Sequence, residues 1–565
     1  MSSLVPLSCP SHASRARRRF RIATLAALIV AAPAALCAQV YLSHTDDAAP
    51  VPAGTLRMRV TTGWTRFDER FTAAGRRPLS DDIATDSLGT RQFPLLTPVE
   101  RALQSLTSDP LTRLTFGRLA ARSDARIVTT PIALEYGVTR RLSIGLVVPI
   151  VQTRRSIQLR VNLDSAGKVD SAGNVGFVPL RSRRDAATAN ALVFSGFKSA
   201  ADSLAILIAR CPANPNASGC AAVNANTADA NATRLAAQQF ADAVRAALGT
   251  DSSSANIAPR NKSGLANRID DQRAALNARV QKYLGAGAGA LSAVFTTPTP
   301  FSYVALQGTG GAQGLLQSPL GGGLDSIQTT SVLRLNGFTV GAQYLLLDHF
   351  QRDTLPRQGF ETRIVIGGAY RFEPTFPDSA RRFGVIPTGD GSGFELRSAM
   401  DVIRGNFGGT IAARYVKSLP RIADGPLLGD PEAFFPAPVF GPVTRTAGTV
   451  MAIDLTPRLL VGEWFALDGH YGFERTGAVS YDVSAPATSC GGCPPFAPST
   501  AARTAQRVGI GLRYSTADAY MRGRSTTPIE VSITHLETIS GDPGVPRVQR
   551  DQVQVRVFFK VRSGR

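Results

Sequence analysis

From about residue 124 onward, apolar and polar residues alternate with a period of two. At the C-terminal end Val553, Val555, Val557, Phe559 and Val561 alternate with Gln552, Gln554, Arg556, Phe558 and Lys560. Ile529, Val531 and Ile533 alternate with Glu530, Ser532 and Thr534, and Phe465, Leu467, Gly469, Tyr471 and Phe473 with Ala466, Asp468, His470 and Glu474. Successive side chains of a strand point to opposite faces, so each stretch predicts a strand with one apolar face. Several run about ten residues or more, which is enough for a tilted strand to cross a bilayer.

A soluble sandwich alternates as well, and the connections separate the two readings. Short turns (139–141, 405–406, 463–464, 522–525) alternate with long Pro/Gly-rich loops (68–124, 162–325, 373–392, 420–446, 477–501, 541–547). Short turns at one end and long loops at the other are the habit of outer-membrane barrels. Strands are expected near 55–67, 125–138, 141–160, 326–348, 360–372, 392–404, 407–419, 447–461, 464–476, 502–519, 526–540 and 548–561. The expected fold is all-β, a transmembrane antiparallel up-and-down β-barrel of about twelve strands. Asn336-Gly337 has the look of a hairpin turn. Splitting the strand there would break the loop parity, so 326–348 is read as one bulged strand. The last strand should close against Leu56–Trp64.

Two long connections carry helical patterns. Thr97-Pro98-Val99-Glu100 reads as a capping box opening a helix near 98–107. An Ala-rich insertion, 181–295, holds helix-like stretches near 184–209, 231–248 and 265–284, and loop parity puts it on the outer face. The domain reading is then 1–38 leader, 39–180 first strands and long first loop, 181–295 helical insertion, and 296–565 the remaining strands.

If hydrocarbon meets the apolar face, the other face lines a lumen. Strand phase then places Arg57, Arg59, Arg363, Arg371, Arg397, Arg414, Arg458, Arg507, Arg513, Arg556 and Lys560 inside. It places Glu135, Glu395, Asp401, Asp454, Asp468, Glu474 and Glu530 there too. Buried charge without a partner is costly, so such a lining needs water or cross-strand ion pairs. The first would make a selectivity lining and the second a packed ladder of ion pairs.

Composition agrees with this picture. Charged residues make up 18%, glycine is abundant at 52, and no apolar run of about twenty residues follows the N-terminus. Mean hydropathy is 0.00. Net charge is +20, opening with Arg15, Arg17, Arg18, Arg19 and Arg21 before the apolar run 22–32. That order reads as a secretory signal cleaved after Ala38. Export makes nucleic acid a poor partner for the remaining basic charge. Arginines near strand ends instead suit outer-membrane lipid and the phosphates of lipopolysaccharide, and the terminal strand suits the barrel assembly machinery.

Cys211, Cys220, Cys490 and Cys493 remain after cleavage, an even number suited to local disulfides in an exported chain. Cys490-Gly-Gly-Cys493 has the spacing of half a zinc site, but neither a second such pair nor a nearby His completes it. No metal or cofactor is implied. Gly-x-Ser-x-Gly, His-Glu-x-x-His and P-loop patterns are absent, so no catalytic residues are assigned and an enzyme is not expected.

Two stretches carry a family likeness. Residues 132–151 (IALEYGVTRRLSIGLVVPIV) and 385–415 (VIPTGDGSGFELRSAMDVIRGNFGGTIAARY) resemble hairpins of the bacterial outer-membrane transporter-like barrels grouped with the meta-pathway phenol-degradation family. The resemblance implies an outer-membrane channel passing small hydrophobic molecules by diffusion. The insertion 181–295 departs from that compact pattern. The expected function is thus a passive channel for small hydrophobic or anionic molecules. A non-conducting barrel scaffold or adhesin presenting the insertion is the alternative.

Overall fold

Alternation along each strand resolves into a closed meander. The computed structural model describes residues 48–163, 173–285, 292–308, 313–350, 359–372, 391–427, 440–483, 497–521 and 524–561. The expected leader 1–38, Thr388–Asp390, Cys490 and Cys493 lie outside them. Twelve strands form the wall. β1 is Thr55–Phe67, β2 Leu119–Gly137, β3 Leu142–Val161, and β4 the two segments Thr330–Leu335 and Phe338–Asp348. β5 is Glu361–Phe372, β6 Gly393–Arg404, β7 Phe407–Ser418 and β8 Val450–Val461. β9 is Phe465–Thr476, β10 Arg503–Ser515, β11 Ile529–Gly541 and β12 Gln549–Lys560. Each pairs antiparallel with its sequence neighbours, and β12 closes on β1 from Thr55 opposite Lys560 to Arg66 opposite Gln549. Closure is what the bilayer demands, because an open edge would expose unpaired backbone groups to hydrocarbon.

Asn336-Gly337 makes a bulge rather than a hairpin. Both segments of β4 run along the same edge of β3, with Leu335 opposite Ile150 and Thr339 opposite Val147. The register slips by one residue between them. Asn336 donates its N–H to the Pro149 carbonyl at 2.9 Å, and Gly337 takes φ +74°. A left-handed backbone here re-aims the strand without ending it.

Four sequence expectations are corrected. β2 begins at Leu119 rather than at residue 125, and its partner β3 is equally long. Above the bilayer the outer face meets water, so Arg122 and Asp124 stand where lipid would require apolar residues, and the alternation fades before the strand ends. At the short-turn end, β10 stops at Ser515 and the helix Ala517–Met521 follows, so the turn expected at 522–525 is a wider link. The capping box does not form. Thr97 is itself the first residue of helix α1, Thr97–Thr107, and its hydroxyl donates to Pro94 O at 2.7 Å. Glu100 turns away to accept the Leu114 N–H at 2.8 Å. Finally, the helix spanning Leu180–Arg210 is long and apolar enough to cross a membrane, despite the expectation of no such run. Lys198 and Asp202 interrupt its apolar stretch in sequence.

That helix belongs to the insertion. Helices α2 (Arg183–Arg210), α3 (Cys220–Ala225), α4 (Thr227–Leu248) and α5 (Gly264–Leu284) pack into one apolar core with α1 and the outer ends of β2 and β3. Phe197 of α2 meets Phe240 of α4 with ring centroids 4.7 Å apart. Cys211 and Cys220 are disulfide-bonded across the α2–α3 turn. Asn162, at φ +51°, ties this layer to the barrel: its amide accepts from Arg118 N at 2.7 Å and donates to Phe116 O and Phe301 O, both at 2.8 Å.

Candidate functional site in the barrel lumen

The two faces of the wall differ in chemistry. Ile144, Leu146, Ile366, Leu396, Ile510 and Ile533 point outward and are exposed, and outward aromatics such as Trp64, Tyr136, Phe465 and Phe559 stand among them. An apolar belt around a closed barrel is the surface of a transmembrane barrel, here of the outer-membrane type.

The inner face carries charge. Arg458 Nε donates to Asp468 Oδ1 at 2.8 Å, and Arg513 Nε donates to Asp468 Oδ2 at 3.2 Å. Glu530 lies 3.4 Å from Arg513 and 3.2 Å from Arg556. On the next strands Glu135 holds Arg59 at 3.5 Å and accepts from Arg57 Nε at 2.9 Å. A belt of charge therefore passes from β8 through β9, β10, β11, β12 and β1 to β2, alternating in sign except at the β12–β1 seam, where Arg556 faces Arg59. Cross-strand neighbours lie close enough to pair, and pairing offsets the desolvation that each ion would otherwise suffer. Arg507 donates to Glu474 at 2.8 Å in a separate pair.

Other sequence-chosen residues serve the chain itself. Asp401 accepts from Thr410 at 2.8 Å and from the Ala48 backbone at 3.0 Å. Ala48 is fully buried among the inward side chains Leu345, Val365 and Ala399, so the chain at Ala48 lies inside the barrel. Arg363 sits 3.6 Å from Asp348 and over the Phe350 ring. Arg371 Nε donates to Gly391 O at 3.0 Å. Arg397 stands opposite Arg414, and Asp454 opposite Ala412, in the β6–β7 and β7–β8 registers. Lys560 is in the inward phase but exposed at the chain end of β12.

Inward glycines place these long side chains. A Cβ on Gly145 would lie 3.1 Å from Glu135 Cγ, and one on Gly63 would lie 3.0 Å from Arg550 Nε. The Gly367 position faces Arg397 Cγ at 3.3 Å, Gly472 faces Asp454 Oδ1 at 2.8 Å, and Gly511 faces His470 Nε2 at 3.2 Å. In each case a polar side chain packs beside an inward glycine of the wall. Beside Glu135 the wall is built of Ser143, Gly145, Gly341 and Ala369. With Arg59, Glu395 and Arg397 they line a small hollow of about 60 Å³.

Sequence reasoning put Gln552 on the polar face of the last strand but missed Arg550 and the glycine seats. Arg550 shares the inward phase of Gln552 and Arg556, so the phase argument extended six residues from Arg556 along β12 would have found it. Which side chain covers which glycine depends on cross-strand register.

No family model matches this chain, and no curated protein matches it. Among solved structures, the chain is similar to an outer membrane channel from Pseudomonas putida F1 at 7% identity and TM-score 0.37, covering 92% of this chain and 100% of that one. It is also similar to a TodX monoaromatic hydrocarbon channel mutant (10% identity, TM-score 0.24, 90% of each chain). A Pseudomonas aeruginosa FadL homologue gives 9% identity, TM-score 0.23 and 90% of each chain. At these scores the overlap of backbones is slight, and the barrel architecture stands on the strand pairing.

Proposed function

We propose that this outer-membrane barrel is a passive channel for small molecules that cross through its lumen. The glycine seats carry the reading. A barrel filled for stability alone would gain by packing large side chains across its axis, since close packing is what a core rewards. Here five inward glycines lie beside charged or polar side chains, leaving room along the wall and a small hollow of about 60 Å³ beside Glu135. The lining is polar and mixed in sign, which suits a solute with an apolar body and a polar head. The likeness of residues 132–151 to the meta-pathway phenol-degradation barrels supports the same class. Purified protein in planar bilayers should give discrete conductance steps. Their absence, with the insertion 181–295 present and deleted, defeats the reading.

The ion-pair belt favours a second reading, a closed scaffold presenting the helical insertion. Paired charges need no water, and the Arg458–Asp468–Arg513–Glu530–Arg556 chain is continuous. The same bilayer measurement separates the two.

A further inference from the structure

Arg550 departs from the pattern of its neighbours. Arg57, Arg458, Arg507, Arg513 and Arg556 each lie against a carboxylate. Arg550 is 5% exposed, its Nε has no hydrogen-bond partner, and among the described residues no hydrogen bond or ion pair reaches it. Its guanidinium lies over Gly63, and in register it stands opposite Leu536 and Thr65. The charges that act on it are those of Arg507 and Arg414, both cations. Like charges around an unpaired guanidinium are unfavourable, and a buried cation in low dielectric calls for an anion.

A second group without a partner adjoins it. Gln552, the next inward residue of β12, is 1% exposed, and neither its Oε1 nor its Nε2 has a partner. It stands opposite Gly63, and Thr129 lies on the far side of that glycine with its hydroxyl also unpartnered. Buried polar groups are nearly always satisfied by protein, water or ligand. Several orphaned groups gathered about one glycine on a lumen wall therefore mark a place that something else occupies.

We propose that Arg550 and Gln552 form an anion-binding station in the lumen wall, and that its ligand is a small carboxylate-bearing solute. The guanidinium fork fits the two oxygens of a planar carboxylate, and the Gln552 amide supplies a further donor. Arg507 is already engaged by Glu474, so it is not a free second guanidinium for a tetrahedral dianion. Arg414 and Arg507 raise the local positive potential without competing for the same oxygens. The station deepens the channel reading and rests on it for its role in transport.

The test uses the full mature chain in planar bilayers, with potassium benzoate as probe and benzyl alcohol as its neutral counterpart. Benzoate should block the current and benzyl alcohol should not. Arg550→Gln should weaken the benzoate block roughly tenfold or more, the usual weight of a hydrogen bond to a charged group. Arg550→Lys should restore part of it. Arg154→Gln, which removes an outward-facing charge, should leave the block unchanged. Heat-modifiable migration on gels confirms that each variant folds. Equal block in Arg550→Gln and the parent, or block by inorganic phosphate as strong as by benzoate, overturns the station while leaving the channel standing. If the parent gives no current, the channel reading fails. Binding of carboxyl-labelled benzoate in detergent, followed by NMR, then decides the station separately: loss of binding in Arg550→Gln supports it, and no binding in the parent overturns it.

Discussion

Arg556 stands directly opposite Arg59 in the β12–β1 register, and each guanidinium is held by a different carboxylate, Glu530 at 3.2 Å and Glu135 at 3.5 Å. Two like charges facing each other across the closing seam would repel. The seam tolerates them because the anions flank it on β11 and β2. Removing one anion should therefore cost more than one ion pair. Glu530→Gln leaves both Arg513 and Arg556 short of charge in a buried setting. We expect a loss of about 3 kcal/mol or more, the usual penalty for breaking a buried pair from one side. Urea unfolding of the detergent-folded barrel measures it, and an unchanged midpoint would show that the belt carries no stability.

Closure at that seam has its own test. Val60 lies opposite Val555 on β12 and Ile132 on β2. Val60→Cys should cross-link with Val555→Cys and, separately, with Ile132→Cys, giving way to weaker products when either partner is moved two residues along its strand. Cross-linking to β2 alone would mean that β1 does not close the barrel.

Much of this architecture was legible because the bilayer imposes a rule on sequence. Where a strand crosses hydrocarbon, its outer residues must be apolar, and β12 shows it plainly in Val553, Val555, Val557 and Phe559. The same rule put Arg57, Asp468, Arg513 and Glu530 on the inner face without coordinates. Legibility ends where the rule ends. Beyond the bilayer, residues 119–124 of β2 face water outside and the helical layer inside, so no alternation marks them as strand. Pairing is likewise hidden. Phase places Arg550 and Arg556 on the same face, but only register shows that Arg556 meets Glu530 and Arg550 meets Leu536.

Acid should loosen the helical insertion at one identifiable point. Asp229, in the first turn of α4, accepts hydrogen bonds from the Tyr283 hydroxyl, from Lys282 at 3.1 Å and from Arg279 at 3.0 Å. The Tyr283 hydrogen bond above all, with those from the two cations, holds its carboxyl down at about 2, against an ordinary 3.8. A carboxylate depressed in the folded state stabilises above its ordinary value and loses that contribution as pH falls toward the depressed one. Exchange protection at the junction of α4 and α5 should hold above pH 4 and fall between about 4 and 2. In Asp229→Asn it should be low throughout and no longer follow pH in that window. A parent that keeps full protection at pH 2 would show that Asp229 does not clasp the two helices.

The glycine seats make the sharpest distinction between a channel and a filled barrel. Gly145 faces inward beneath Glu135, whereas Gly368 faces outward on β5, where an added Cβ makes only ordinary contacts, with Leu396 Cδ2 at 3.7 Å and Glu395 O at 3.9 Å. Gly145→Leu must displace the Glu135 side chain, whose Cγ lies 3.1 Å from the added Cβ, while Leu134 O at 3.5 Å is in ordinary contact. The displaced carboxylate, still drawn to Arg57 and Arg59, moves off the wall and into the hollow, and the leucine itself fills part of that space. Single-channel conductance should fall in Gly145→Leu while Gly368→Leu, which adds the same side chain on the lipid face, conducts as the parent does. Both variants should keep heat-modifiable migration, which separates narrowing from misfolding. Equal conductance in the two folded variants would mean that solutes do not pass the Glu135 wall. The seats would then be devices for packing ion pairs in a barrel that carries nothing along that path.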